Sequence, residues 1–154
     1  MSSGQVIIKI NNVAKVRGAV SGEQLKQAVL AGGHVIEAQA KINVEKTFSH
    51  KSTGGAGLGG SIQTVVSTST ETKAEVDVGP TVIYGRIHEF GGIVLPVHAK
   101  MLSWIDVDTG ERVFANKVQI PARPYLRPAF DEHKDEIVNA MMYQVKKAIE
   151  QVAI

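Results

Sequence analysis

The chain has 154 residues, a formal net charge of +2 and no cysteine. A chain of this length suits one domain, residues 1–154, which can bury roughly 70% of its unfolded surface without disulfides or thiolate-bound metals. The charge is nearly balanced and forms no block of the kind that a dedicated DNA binder carries. No run of eighteen apolar residues occurs, so we expect no membrane partner.

The first third of the chain predicts a short strand followed by a long helix. β-branched residues favour a strand over 5–10. Ser21 and Gln24 form a capping box, after which small and apolar residues recur at helical spacing to about residue 47. Gly32 and Gly33 lie in the middle of this helix, where each glycine costs about 1 kcal/mol relative to alanine. The helix should therefore kink there or pack closely against another backbone.

Residues 50–60 are rich in glycine, and we predict a flexible loop that becomes ordered on assembly or lines a channel. The residues assigned to this mobile loop are Gly54, Gly55, Gly57, Leu58, Gly59 and Gly60. Their spacing matches the glycine pattern of dinucleotide-binding loops. However, a helix precedes the loop and a strand follows it, which is the reverse of the order that places a pyrophosphate at a helix N-terminus. We therefore predict no nucleotide site.

Two β-hairpins are predicted in the second half. Apolar and polar residues alternate over 62–78, with a turn near 69–72. A second hairpin is predicted at 101–107 and 112–118, where Gly110 can adopt the left-handed conformation of the turn.

The chain is predicted to end in a long helix that begins near Pro128. Its acidic residues come early and its lysines late, which complements the helix dipole. The order of strand, helix, four strands and helix predicts an α+β fold. In this fold a mainly antiparallel β-sheet packs with a long helix in the N-terminal half and a long C-terminal helix.

No combination of residues in the sequence predicts catalysis or metal binding. His88 and Glu89 begin like a zinc-protease motif, but Gly92 stands where the second histidine would be needed. Asp106 begins a stretch similar to a calcium-binding loop, but Lys117 occupies the position of the required glutamate. There is no G-x-S-x-G motif and no thiol. We therefore expect no catalytic residue, no metal, no cofactor and no enzymatic activity.

Two blocks combine glycine or proline with aromatic residues and arginine: YGRIHEFGG at 84–92 and IPARPYLRPAF at 120–130. Prolines stiffen the second block, and tyrosine and arginine are frequent among residues that dominate interfaces. A buried Glu89 would need a partner, for which Arg123 or Arg127 is predicted, within one subunit or between two. The candidate interface residues are Glu89, Phe90, Arg123, Tyr125 and Arg127. The alternative is internal packing, in which Tyr125 and Leu126 hold the last helix against the sheet.

Together with Gly57-Leu-Gly-Gly-Ser-Ile62, these blocks resemble the phage tail-completion, or head–tail joining, proteins over residues 21–150. The resemblance implies a structural virion protein of the neck or tail, assembled in the cytoplasm of the bacterial host. Its copies would form a ring, expected to be hexameric, at the head–tail interface. The implied partners are portal-side connector or stopper proteins and tail terminator or tail tube proteins. DNA would pass through the lumen of the ring without sequence-specific binding.

Two other functions remain open. A tail terminator or stopper ring protein would differ in the surface that meets the tail tube. A small nucleic-acid-binding module belongs to a different class and would need basic residues on one face. The lysines and arginines of the first third of the chain are scattered, which does not favour such a module.

Overall fold

Helix α1, Gly22–Thr47, is the element against which most of the others pack. The computed structural model describes residues 6–10, 20–48, 57–106 and 108–152. The predicted capping box is present, because the backbone N–H of Ser21 donates to Oε1 of Gln24 at 2.6 Å. One face of α1 is buried along its whole length, which accounts for the helical spacing of its apolar residues. The larger buried residues of this face are Leu25, Val29, Ile36 and Val44.

A three-stranded antiparallel sheet covers one side of α1. Its strands are β1 (Val6–Ile10), β2 (Ile62–Ser69) and β3 (Ala74–Pro80), and β3 lies in the centre. The predicted hairpin of β2 and β3 is confirmed. Its inward side chains include Ile62, Ala74, Val76 and Val78, which are fully buried.

The paired glycines of α1 allow close packing on two sides. A Cβ atom added at Gly33 would lie 2.5 Å from Cγ2 of Thr64 in the sheet. One added at Gly32 would lie 2.8 Å from Cγ of Met141 in the C-terminal helix. The helix continues unbroken through both residues, and its close neighbours are side chains rather than another backbone.

The predicted C-terminal helix consists of two segments, α3 (Leu126–Asp131) and α4 (Lys134–Val152). Helix α3 ends where the N–H of Glu132 donates to the carbonyl of Pro128 at 3.0 Å. The prediction of one continuous helix is wrong at this break. Residues 132 and 133 are neither glycine nor proline, so the sequence carries no signal for it. The break allows α3 and α4 to pack separately against α1. The α+β class, with its two long helices, is confirmed.

A short helix occupies the first of the two sequence blocks. This helix is α2, Gly85–Phe90. Gly91 follows it with a φ of +70°, and a Cβ there would lie 2.7 Å from the backbone nitrogen of Ala122. Glycine is therefore required at this corner, both for its conformation and for the close approach of the second block.

Residues 92–120, which we call the arm, form two small antiparallel ribbons. The outer ribbon, β5 (Leu102–Ile105) with β6 (Arg112–Ala115), is the predicted second hairpin. Its turn contains Gly110 at a φ of +74°. The inner ribbon was not predicted, and it pairs β4 (Gly92–Val94) with β7 (Val118–Ile120).

Candidate interaction surface

The carboxylate of Glu89 joins the two sequence blocks inside the subunit. Its Oε2 accepts hydrogen bonds from the backbone N–H groups of Tyr125, at 2.8 Å, and Leu126, at 2.9 Å. Its Oε1 accepts from the N–H of Arg127 at 3.0 Å. These N–H groups belong to the first turn of α3, which has no intrahelical acceptors for them. Glu89 therefore caps a helix that begins 37 residues later, at Leu126.

Tyr125 is buried at the same junction, with none of its surface exposed. Its hydroxyl donates to the carbonyl of Gly85 at 3.2 Å, and its own carbonyl accepts from the side-chain amide of Asn43 at 3.1 Å. Burial, followed by the nearby charge of Glu89, raises the pKa of Tyr125. The residue thus connects α1, α2 and α3.

The five predicted interface residues fall into two groups. Glu89 and Tyr125 lie inside the subunit, where their side chains hold α2 to α3. Phe90, Arg123 and Arg127 are exposed. The predicted pairing of Glu89 with an arginine is wrong for the folded subunit, because backbone N–H groups take that position. Contacts of the three exposed side chains with a partner stay a prediction.

Arg123 lies over an aromatic cluster at the end of α1. Its guanidinium carbon is 5.7 Å from the centre of the Phe48 ring, and the edge of that ring meets His88 at 4.9 Å between ring centres. The N–H of Arg123 also donates to the carbonyl of His88 at 2.7 Å. Burial, followed by the charge of Arg123, lowers the pKa of His88. The cluster fixes the proline-rich segment beside the point where α1 ends.

The arm exposes large apolar side chains on both faces of its outer ribbon. Trp104 and Val113 are cross-strand partners on one face, while Phe114 lies on the other, where 58% of its surface is exposed. Strands β5 and β6 pack on each other and make at most isolated contacts with the other described helices and strands. Among the described residues of the arm, the large exposed apolar side chains are Ile93, Leu95, Val97, Met101, Trp104, Ile105 and Phe114.

Helix α4 carries two apolar stripes. The inner stripe includes Ile137 and Met141, which pack against α1 at Gly32. The second stripe lies one residue further along, about 100° around the helix, and faces away from the core. We call it the outer stripe, and it consists of Val138, Met142, Val145 and Ile149. Met142 is 59% exposed and Val138 55% exposed.

Comparison with known proteins identifies the family. The sequence model of the phage virion morphogenesis family matches residues 33–146. The chain belongs to this family. The match spans most of α1, the sheet hairpin, the whole arm and α4 as far as Lys146. No curated protein and no solved structure gave a significant match. Membership of the family makes the chain a structural phage virion protein.

Part of the glycine-rich segment of this family member is packed into the core. Leu58 is buried in the cluster formed by α1 and the sheet. The N–H of Ser61 donates to the carbonyl of Gly57 at 3.1 Å, and residues Gly59–Ser61 form a 3-10 turn. Leu58 is thus anchored in the core and Gly59 and Gly60 belong to the 3-10 turn, and the mobility of the loop stays a prediction. Gly54 and Gly55 lie outside the described residues.

Two absences hold within the described ranges. Within them, no three histidine or carboxylate side chains lie close enough together to hold a metal ion. No helix there is both long and apolar enough to cross a membrane.

Proposed function

We propose that this chain forms a ring at the head–tail interface of a tailed bacteriophage, where it completes the tail and joins it to the head. Its neighbours in the virion neck are portal-side connector or stopper proteins on one side and tail terminator or tail tube proteins on the other. Its role is structural, with no catalytic step assigned to any residue. The uncovered arm supports this proposal, together with membership of the virion morphogenesis family.

The arm supports assembly because its outer ribbon has little stability on its own. A two-stranded ribbon is marginally stable in water unless a hydrophobic face is covered. Here both faces carry apolar side chains, and no described helix or strand packs extensively on either of them. Exposed apolar surface of this kind marks sites of protein–protein contact. In a virion protein, such a contact joins subunits or virion neighbours.

The charge of the chain suits a channel that lets DNA pass. Each phosphate contact made by lysine or arginine adds to the affinity for DNA, and many such contacts would retain it. With a net charge of +2, a ring of this chain offers little general attraction for the duplex. DNA therefore passes through the lumen without sequence-specific binding.

Deletion and complementation in the parent phage test the proposal. Without the protein, electron microscopy should show full heads and tails of normal length that stay separate. Wild-type protein should restore joining, whereas Arg123→Ala should restore it poorly although the subunit folds. Val65→Ser changes an exposed residue on the outer face of the sheet and serves as the matched control.

Other outcomes would decide against the proposal. Tails of uncontrolled length would identify a terminator, because only a terminator stops polymerisation of the tube. Normal joined particles without the protein would exclude a role at this interface. A monomer that binds DNA but never enters virions would favour the nucleic-acid-binding module.

A further inference from the structure

We infer that the arm of one copy lies on the outer stripe of helix α4 of the next copy. The contact joins two different surfaces, so repeated copies can close into a ring. This inference rests on the proposed function, to which it adds the two surfaces that meet and their relative orientation. The occupant of the outer stripe is therefore a second copy of this chain.

Both surfaces present a narrow row of exposed apolar side chains. The arm presents Phe114 and Ile105 on one face of its outer ribbon, and both are more than half exposed. The outer stripe presents Val138 and Met142, also more than half exposed. Each surface is narrow, one a two-stranded ribbon and the other a single row of residues on a helix. Each also lacks an extensive apolar cover within its own described subunit.

Charges on the arm are separated along its length. Asp106, Asp108 and Glu111 lie at the tip, around the turn of the outer ribbon, where they outnumber one basic residue, Arg112. Lys100 and Lys117 lie at the other end, where the ribbon joins the inner one. The arm therefore runs from a basic base to an acidic tip.

Charges on α4 are separated in the same way. Asp135, in its first turn, and Lys146, near its C-terminal end, flank the outer stripe at helical spacing. Lys147 lies instead on the α1 side of the helix, beside Gln24 and Gln27, and Lys146 is also 3.9 Å from the carboxylate of Glu150. The strand from residue 111 to 117 extends up to about 20 Å at 3.4 Å per residue. The helix from Asp135 to Lys146 extends roughly 17 Å at 1.5 Å per residue. The two charge separations are thus of similar length.

The charge pattern selects one orientation of the arm. With the tip at the C-terminal end of α4, the tip carboxylates meet Lys146, and the arm lysines meet Asp135. In the opposite orientation, like charges face each other at both ends. Complementary charges at the rim of an interface set orientation and reject wrong pairings, while apolar burial supplies most of the affinity.

Cysteine cross-linking tests the contact directly, because the chain has no cysteine of its own. Phe114→Cys and Met142→Cys are both exposed substitutions that leave the core untouched. The double variant should cross-link into a ladder of oligomers on a non-reducing gel, in purified assemblies and in phage particles. Each single variant should stay monomeric on the gel, and a mixture of the two single variants should give only a dimer.

The same approach tests the orientation. Thr109→Cys at the tip should cross-link to Lys146→Cys, whereas Thr109→Cys with Asp135→Cys is the matched control and should not cross-link.

Four results would overturn the inference or part of it, and they separate it from the proposed function. Dimers of either single variant alone would show that like surfaces meet. If rings form and function but residues 114 and 142 do not cross-link, the inferred contact is wrong and the proposed function still holds. Failure of wild-type protein to form rings, even with its head-side and tail-side neighbours, would contradict the proposed function itself. A tip that cross-links to position 135 would reverse the orientation.

Discussion

Replacing Glu89 by glutamine tests whether this carboxylate holds the two sequence blocks together. The substitution keeps the size of the side chain and removes its charge. One oxygen can still accept from the N–H groups of Tyr125 and Leu126. The amide nitrogen then faces the N–H of Arg127, which now lacks an acceptor.

The expected loss follows from the three hydrogen bonds. A hydrogen bond to a charged group contributes about 1.5–3 kcal/mol, and one between neutral groups about 0.5–1.5 kcal/mol. Losing one charged bond and weakening two others, set against the lower cost of burying a neutral amide than a carboxylate, should lower the free energy of unfolding by about 2–3 kcal/mol. For a chain of this size, that loss corresponds to a decrease of roughly 5–10 °C in melting temperature. Glu89→Ala leaves all three N–H groups without this acceptor and should cost more.

Urea unfolding followed by far-UV circular dichroism measures this loss. Far-UV circular dichroism is preferred to fluorescence because the single tryptophan, Trp104, lies on the arm and reports the core poorly. Glu45→Gln changes an exposed glutamate of α1 and should stay within about 0.5 kcal/mol of wild type. A Glu89→Gln variant as stable as this control would refute the capping role.

Three further predictions concern the core, the paired glycines and pH. Leu58→Ala should cost about 2–4 kcal/mol in urea unfolding, and a loss below about 0.5 kcal/mol would show that this end of the glycine-rich segment is not anchored. Gly33→Ala should lower the melting temperature despite the better helix propensity of alanine, because its Cβ would overlap Thr64; a more stable variant would contradict the close packing. His88 has a folded-state pKa lowered from 6.5, first by burial and then by a nearby guanidinium. The unfolded state therefore takes up this proton first, and stability should fall as the pH drops below that value. His88→Gln should lessen the fall between about pH 8 and pH 5, and an identical pH profile would contradict this.

The arm offers a readout of assembly that needs no label. Trp104 is 39% exposed in the subunit. If the arm becomes covered on assembly, its emission maximum should shift to shorter wavelength as oligomers form. An unchanged spectrum in assembled rings would show that Trp104 stays in water, and therefore that its face of the arm is not covered.

Local patterns in the sequence were sufficient to predict the elements that depend on near neighbours. The capping box at Ser21, the apolar spacing of α1 and the alternation over 62–78 all involve residues two to four positions apart. Such patterns determine which face of a helix or strand can be buried. They therefore also predicted the α+β class. The resemblance to a phage family likewise rested on residues that are close together in the sequence, within the two blocks.

Only the tertiary structure decided which partners meet over long distances. Nothing near Glu89 in the sequence indicates that its carboxylate oxygens accept hydrogen bonds from the backbone N–H groups of residues 125–127. By charge, an arginine was the more obvious partner. Likewise, the spacing in α4 could not show that Val138 and Met142 face outwards, since both stripes have the same period. Burial depends on what packs against each face, and for α4 the packing of α1 covers one stripe and leaves the other exposed.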